Sequence, residues 1–202
     1  MKRIELFHPR VFSDQEWADG YYKRNKVNIK RVGVRLAQIL TKSGFQGEKI
    51  LDTGCGFGTI AIELAKQFKE SEIIGIDLGE PLLELAGSLA EEAGVKDQIQ
   101  FQKGDVENLE FEDKSFDLVV NTFMMHVVED PVAMLNEIER VTREDGIIII
   151  TDLRRFWLGL LLKKFRTTFT LEEGLEIINR SELRPGTGMK GPFWWDYLIG
   201  LE

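Results

Sequence analysis

The sequence has a single cysteine, Cys55, among 202 residues, so an intrachain disulfide is excluded and no cysteine-based metal cluster can form. No uninterrupted apolar run approaches the ~20 residues that a membrane-spanning helix requires. The basic first residues are not followed by a long apolar region, so no secretory signal peptide is expected. These absences favour a cytoplasmic enzyme or binding protein without a metal.

Positive charge is also scarce, because 26 basic residues stand against 34 acidic ones and the net charge is −8. This balance disfavours a general binder of nucleic-acid backbones, although it leaves room for a local basic patch. Hydrophobic residues make up 43% of the chain and charged residues 30%, an ordinary balance for a globular domain. Since no repeat or linker interrupts the chain, we expect a single domain over residues 1–202.

From residue 49 onwards, short apolar segments alternate with amphipathic ones. Such alternation predicts an α/β fold in which helices cover both faces of a parallel sheet, a three-layer αβα sandwich. An Asp145-Gly146 turn is expected before the fifth strand. The predicted strands are residues 49–53, 72–77, 99–103, 116–121 and 147–150, and the predicted helices are residues 59–69, 81–92 and 131–141.

The segment before the sheet has a helical period. Apolar residues at three- and four-residue steps between Ser13 and Leu40 indicate one or two helices, which can cover a ligand cleft. Ser13 with Glu16 fits a capping box at the start of this region. We therefore expect an N-terminal helical cap over residues 1–45, laid against a core of residues 46–153.

The segment after the sheet core is predicted to close the sheet. Thr170 with Glu173 fits a capping box for a helix that ends near residue 181. Residues 184–190 and 194–199 predict two edge strands, because their glycines favour bulges or turns over long central strands. The prediction is a mostly parallel seven-stranded sheet with an antiparallel C-terminal hairpin. We therefore expect a lid or substrate segment at residues 154–169, followed by a final helix and an edge hairpin at residues 170–202.

A glycine-rich turn follows the first predicted strand. Gly54, Gly56 and Gly58 come after Asp52, and a helical pattern begins at Thr59, an arrangement that opens a nucleotide-binding crevice. A dinucleotide fingerprint is Gly-x-Gly-x-x-Gly, which this turn does not match, so a nicotinamide oxidoreductase is disfavoured. A carboxylate before the turn is a poor neighbour for a pyrophosphate but a good one for a ligand with an ammonium group.

Other candidate ligand residues follow the next strands, at the sheet edge where α/β proteins bind ligands. Asp77 lies nineteen positions beyond Gly58, where an acid can accept hydrogen bonds from both ribose hydroxyls, or can instead cap the following helix. Asp105 can accept from an adenine amine, or can be a turn aspartate. Leu78 offers an apolar face to a base, and the Val106 backbone can meet a ring nitrogen.

These motifs together resemble the class I S-adenosylmethionine (SAM)-dependent methyltransferases. That family has an acid before Gly-x-Gly-x-Gly, an acid after strand 2, Gly-Asp after strand 3, and Phe-Asp-x-Val-x-x on strand 4. The usual Pro-Gly-Gly turn before strand 5 is reduced here to Asp145-Gly146. The resemblance spans residues 45–155, and residues 152–155 look like a branch of small bacterial and archaeal methyltransferases. The matching segments are residues 52–58, Asp77, Gly104-Asp105, residues 116–121 and the His-x-x-x-Asp-Pro segment at 126–131.

The resemblance implies a Rossmann-like fold, with SAM as cofactor and S-adenosylhomocysteine as product. Tyr21 and Tyr22 can present an aromatic face to the sulfonium, or can pack on the core. Cys55 is interpreted as a small buried residue at the cofactor rather than as a nucleophile. The residues predicted to bind the cofactor are Asp52, Gly54, Cys55, Gly56, Gly58, Asp77, Leu78, Gly104, Asp105, Val106, Asn121, Thr122 and Tyr21.

His126 is the candidate general base, because it follows strand 4, where an acceptor would lie, and imidazole exchanges protons near neutral pH. It can also be a polar loop residue or a contact to the cofactor. Arg154, Arg155 and Arg166 can bind a carboxylate or phosphate of the acceptor, or can pair with local acids. Phe156–Leu162 is predicted to be a lid over an apolar acceptor rather than an interface.

The sequence therefore predicts an enzyme that transfers a methyl group from SAM to an unidentified small-molecule acceptor by in-line displacement. Two alternatives stay open: a protein that binds SAM or its product without catalysis, and a methyltransferase of RNA or protein. The acidic charge disfavours a nucleic-acid partner, and a homodimer is possible.

Overall fold

The computed structural model describes residues 14–156 and 164–201. In that part of the chain, helices and strands alternate from Lys49 to Leu153 as the sequence predicts, except that two strands, Ile99–Lys103 and Phe116–Thr122, follow each other without a helix between them. The strands are β1 (Lys49–Thr53), β2 (Glu72–Asp77), β3 (Ile99–Lys103), β4 (Phe116–Thr122), β5 (Thr142–Leu153), β6 (Thr187–Lys190) and β7 (Trp194–Ile199). The helices are α1 (Gln15–Lys42), α2 (Thr59–Gln67), α3 (Glu80–Glu92), α4 (Pro131–Val141), α5 (Lys164–Thr167) and α6 (Leu171–Ile178).

The seven strands form one sheet in the order β3-β2-β1-β4-β5-β7-β6. The first five strands in this order are parallel, and β7 runs antiparallel to both β5 and β6. The predicted mostly parallel seven-stranded sheet with an antiparallel C-terminal hairpin is therefore confirmed. Strand order reverses between β1 and β4, so the crevice that binds ligands in such sheets opens at the carboxyl ends of these two strands.

The apolar strand residues divide between the two faces of the sheet because side chains alternate along a strand. Ile149 belongs to the core that α1 and α2 cover, and Ile148 belongs to the core under α4 and α6. This two-sided burial explains why residues 147–150 form an uninterrupted apolar run. It also confirms the three-layer, Rossmann-like arrangement.

Strand β5 is longer than the sequence predicts. It begins at Thr142 instead of residue 147, and the predicted Asp145-Gly146 turn lies within it. Thr142 pairs with Phe116 and Ile147 pairs with Leu118, so the residues between them form a bulge. The turn prediction was wrong because a Gly-containing bulge and a turn have similar local composition. The final helix is also shorter than predicted and ends at Ile178.

Helix α1 is a single helix of 28 residues rather than two. Its N-cap is Asp14, whose carboxylate accepts a hydrogen bond from the backbone N–H of Trp17 at 3.0 Å, so the predicted cap at Ser13 is displaced by one residue. Ser13 itself and residues 157–163 of the predicted lid or substrate segment lie outside the described residues. No helix among the described residues has the length and apolar character needed to cross a membrane.

Candidate functional site

The glycine turn between β1 and α2 is held against β2. The backbone N–H groups of Gly54 and Cys55 both donate to the Ile76 carbonyl, at 2.8 and 2.9 Å. Gly54 has φ +72°, and a Cβ there would lie 2.3 Å from the sulfur of Met124, so this position requires glycine. Gly56 has φ +53° but faces open space, with no heavy atom within 4 Å of a Cβ built there. The open side of the turn is therefore at Gly56.

Asp77, at the end of β2, clamps this turn. Its Oδ2 accepts a hydrogen bond from the Gly56 N–H at 2.9 Å, and its Oδ1 accepts one from the Gly79 N–H at 2.8 Å, at the start of α3. Burial raises the pKa of Asp77, and these backbone N–H groups oppose the rise. A carboxylate has about four acceptor positions, so Asp77 retains lone pairs for a ligand. Beside it, the Leu78 side chain is 38% exposed and offers apolar surface.

Asp52 is a carboxylate that is fully buried at the end of β1. The residue has no exposed surface, and neither of its oxygens accepts a hydrogen bond from a described residue. Burial raises the pKa of Asp52 to about 7, although the nearby backbone amide of Ala61 lowers it. An unpaired buried carboxylate is costly, and a cation placed beside it would relieve that cost. Asp52 is thus poised to favour a positively charged ligand at the turn.

Aromatic residues of α1 cover the glycine turn. Tyr21 stacks on Trp17 with ring centroids 5.0 Å apart, and its edge contacts Phe57 of the turn at 5.7 Å. Tyr22 packs edge-to-face on Phe57 at 5.1 Å. Burial raises the pKa of Tyr21 to about 12, and the charge of Asp77 adds to the rise. Tyr21 therefore packs on the aromatic residues of the core, and its contact with the cofactor stays a prediction.

The remaining candidates differ in accessibility. Asp105 is exposed, and its Oδ1 accepts a hydrogen bond from the Glu107 N–H at 2.9 Å, as in a turn aspartate. Asn121 is fully buried and donates to the Thr53 hydroxyl at 2.8 Å, joining β1 to β4.

Cys55, Val106 and Thr122 are buried, and Gly104 is half-buried. Burial and the charges of Asp52 and Asp77 raise the pKa of the Cys55 thiol. A thiol in such surroundings is a poor nucleophile.

The structure supplies His126 with a partner that sequence reasoning did not assign. Nδ1 of His126 lies 2.6 Å from Oδ1 of Asp152, and the His126 backbone N–H donates to Oδ2 of the same carboxylate at 3.1 Å. His126 follows β4 and Asp152 is near the end of β5, so this pair forms between neighbouring strands. The only local signal was an acid near the end of a predicted strand. Within the described residues, no group of three His, Cys, Asp or Glu side chains could hold a metal ion.

Beyond this pair, β5 leads into aromatic and basic residues. The Phe156 ring lies 5.0 Å from the Phe165 ring and 5.7 Å from the Phe193 ring. Arg155 is only 8% exposed and forms an ion pair with Glu173, while its Nη1 has no hydrogen-bond partner among the residues that the structure describes. The residues that follow β5 therefore combine an aromatic cluster with a buried guanidinium group.

The two other arginines predicted near the acceptor differ from Arg155. Arg154 donates to the Pro192 carbonyl at 3.0 Å. Arg166 is exposed. Neither observation assigns these two side chains to an acceptor, so their roles stay predictions.

Comparisons with known proteins agree with this arrangement. A family model described as a methyltransferase domain matches residues 45–184. The demethylmenaquinone methyltransferase of Lactobacillus johnsonii is 36% identical over 107 residues, which cover 52% of this chain and 44% of that protein. The fatty-acid O-methyltransferase of Mycolicibacterium smegmatis is 33% identical over 109 residues, which cover 54% and 38%. The chain thus matches less than half the length of these two relatives.

A solved structure is similar over almost the whole chain. It is a proposed SAM-dependent methyltransferase from Methanococcus maripaludis, with a TM-score of 0.77 and 23% identity, covering 91% of this chain and 92% of that one. This likeness supports the fold, and the family model supports membership, because it spans more than half of the chain. The chain therefore belongs to the methyltransferase domain family, as a member of the class I methyltransferases, whose cofactor is SAM.

Proposed function

We propose that this protein transfers the methyl group of SAM to a small, largely apolar acceptor. The observation that carries the proposal is that two groups of residues lie at the same edge of the sheet. Asp52 and Asp77 lie at the carboxyl ends of β1 and β2, and the His126–Asp152 pair lies at the ends of β4 and β5. Because β1 and β4 are neighbours, a cofactor held by the first group would lie next to the second.

The residues present fit SAM. The unpartnered carboxylate of Asp52 suits a ligand with positive charge, and the open side of Gly56 lets a ligand approach the backbone. Asp77 has the acceptor capacity for ribose hydroxyls, and Leu78 and Tyr21 supply apolar and aromatic surface beside it. When bound, SAM supplies a methyl group that its sulfonium charge has already activated. The assignment of each predicted cofactor residue is part of this proposal.

The protein's own task is to align the acceptor and, where the acceptor carries a proton, to remove it. A carboxylate at Nδ1 favours the tautomer in which Nδ1 donates, so that Nε2 of His126 is the basic nitrogen. Asp152 also accepts from the His126 backbone N–H, which fixes the loop as well as the ring. We therefore assign His126 as the base and Asp152 as its positioning residue.

Two observations support a small apolar acceptor. The rings of Phe156, Phe165 and Phe193 form an aromatic cluster after β5. Two relatives have names that specify demethylmenaquinone and fatty acids. The buried Nη1 of Arg155 could donate to an oxygen of such a molecule. The charge of Arg155 is offset by Glu173, which favours a neutral oxygen over an anionic group. The cytoplasm as compartment, and a homodimer, remain predictions from the sequence.

The test is a titration of SAM by calorimetry, followed by turnover of methyl-labelled SAM against a panel of quinols, phenols and fatty acids. We expect binding at micromolar SAM and label transfer to at least one lipophilic acceptor. Binding without transfer to any member of this panel, or to RNA or protein substrates, would favour the binding-protein alternative. Absence of SAM binding in a folded sample would contradict the proposal.

A further inference from the structure

The charges of this protein are distributed unequally between α1 and the rest of the chain. Helix α1 carries seven basic and two acidic residues, a net charge of +5. The whole chain has a net charge of −8, so the residues outside α1 carry −13. Both acids lie in the first turns, and no acidic residue occurs between Gly20 and Lys42. Helix α1 is therefore positively charged, whereas the rest of the chain is acidic.

Most of this positive charge is exposed. Lys23, Arg24, Lys26, Lys30 and Arg31 are all exposed, and none of them forms an ion pair with a described residue. The contrast is Arg35, one turn further along, which points towards the sheet. It pairs with the buried Asp196 at 2.8 Å. The inward cation of this helix is therefore paired, whereas its outward cations have no carboxylate partner in the described part of the chain, and of these Lys26 lies over the Tyr22 ring at 5.1 Å.

Two exposed valines lie within this cationic surface. Val27 is 56% exposed and Val34 is 37% exposed, among the most exposed large apolar side chains described. They are seven residues apart and therefore lie on the same side of the helix. Lys23, Lys30 and Arg31 are three or four residues from one of the valines and surround them on that side. We call Lys23, Val27, Lys30, Arg31 and Val34 the basic face of α1.

We propose that the basic face of α1 docks on an anionic phospholipid surface. Unpaired cations around exposed apolar side chains are the arrangement of helices that lie in the interface of an anionic bilayer. The lysine stems can extend along the headgroups while the valines face the apolar boundary. The −13 charge of the remaining chain is repelled by the same surface, which orients α1 towards it.

A nucleic acid is the less favoured partner, because its phosphates would bind the cations but nothing would contact the valines. A second copy docked face to face is also disfavoured, since it would oppose two sets of unpaired cations. The proposal is independent of the methyltransferase activity, and it concerns a face that the glycine turn does not use. Helix α1 nevertheless contributes Tyr21 to the site, so docking would hold the site close to the lipid surface.

Vesicle flotation tests the proposal with the full chain. Vesicles of phosphatidylcholine containing phosphatidylglycerol should bind the protein at low salt, and vesicles of phosphatidylcholine alone should not. Each basic residue near such a surface is worth roughly fivefold in binding. The triple variant K23E/K30E/R31E should therefore lose at least about a hundredfold in partitioning. Unchanged binding of this variant would overturn the proposal.

The matched control is K49E/K69E/R180E, which reverses two lysines and one arginine that are exposed, lie outside α1 and form no ion pair with a described residue. It changes the net charge by the same amount and should bind vesicles no more than a few-fold more weakly. An equal loss in both variants would mean that total charge, not this face, governs binding. Circular dichroism and SAM titration check that both variants remain folded.

The variant V27S/V34S separates lipid from nucleic acid. It keeps every charge, so it should weaken vesicle binding several-fold and leave any binding to poly(U) RNA unchanged. If wild-type protein instead binds the RNA more tightly than the anionic vesicles, and the valine substitutions affect neither, the lipid assignment is wrong. Absence of binding to anionic vesicles at low salt would also overturn it.

Discussion

The backbone N–H of Gly56 donates a hydrogen bond of 2.9 Å to Oδ2 of Asp77, so the acid at the end of β2 fixes the glycine turn that follows β1. The same carboxylate accepts from Gly79 at the start of α3. One side chain therefore positions the backbone on both sides of the proposed ribose site. Substituting it should affect the shape of the site as well as its direct contacts.

Asp77→Ala should lower the affinity for SAM by at least tenfold. The substitution removes a carboxylate that would accept from the ribose, and hydrogen bonds to charged groups contribute about 1.5–3 kcal/mol each. Isothermal titration calorimetry measures the change, with Asp97→Ala as control because Asp97 is an exposed acid at the opposite edge of the sheet. A folded Asp77→Ala protein with unchanged SAM affinity would refute the ribose assignment.

Asp52→Asn should make the SAM-free protein more stable at pH 8 and leave its stability at pH 4 nearly unchanged. The pKa of Asp52 rises from 3.8 to about 7 on folding, so between these pH values the folded state binds more protons than the unfolded state. The free energy of unfolding must then fall as pH rises through this window, by up to about 4 kcal/mol. Asparagine has no charge to desolvate and removes this contribution.

Urea unfolding of both proteins at several pH values between 4 and 8 measures this difference. The comparison with Asp52→Asn isolates Asp52, because burial also raises the pKa of Asp77 in both proteins. The same variant should bind SAM more weakly, since the cationic ligand loses its buried counter-charge. Parallel stability curves for the two proteins across this pH range would show that Asp52 is not the titrating group.

Gly54→Ala and Gly56→Ala should have different consequences, although both glycines have positive φ. At Gly54 the new methyl group would overlap the Met124 side chain, so we expect a loss of stability of about 3 kcal/mol or more. At Gly56 the methyl group meets nothing, so only the backbone strain of about 1–2 kcal/mol remains. Thermal unfolding compares the two losses.

Gly56→Ala should nevertheless weaken SAM binding, because its methyl group would occupy the open side of the turn. Calorimetry on this folded variant provides the measurement. If Gly56→Ala binds SAM as tightly as the wild-type protein, the ligand does not approach the turn at this residue.

His126→Ala should lower kcat by about 10²–10⁴-fold once an acceptor is known, the usual contribution of a general base. The affinity for SAM should change little, because His126 lies on β4's side of the crevice, away from Asp77. Asp152→Asn should lower kcat as well, since an amide can turn either its oxygen or its NH₂ group towards Nδ1 and no longer fixes the tautomer of the ring. Full activity of both variants would mean that the acceptor needs no base.

The sequence by itself determined the succession of strands and helices along the chain, the position of the glycine turn and the family. Those features are local: alternation of apolar residues, glycine spacing and capping residues such as Thr170 are set within a few positions of the chain. Its errors were local too. The sequence predicts a turn near Gly146, where the structure has a bulge. It also predicts the cap of α1 at Ser13, whereas the cap is Asp14.

Only the tertiary structure decided which of the candidate residues touch. Asp152 pairs with His126 across 26 positions, Asp77 reaches back 21 positions to Gly56, and Arg35 pairs with Asp196 across 161 positions. The structure also decided that Asn121 is buried and that the Asp52 oxygens accept no hydrogen bond within residues 14–156 and 164–201. These facts depend on strand order and register, which bring distant residues together, and no local pattern in the chain encodes them.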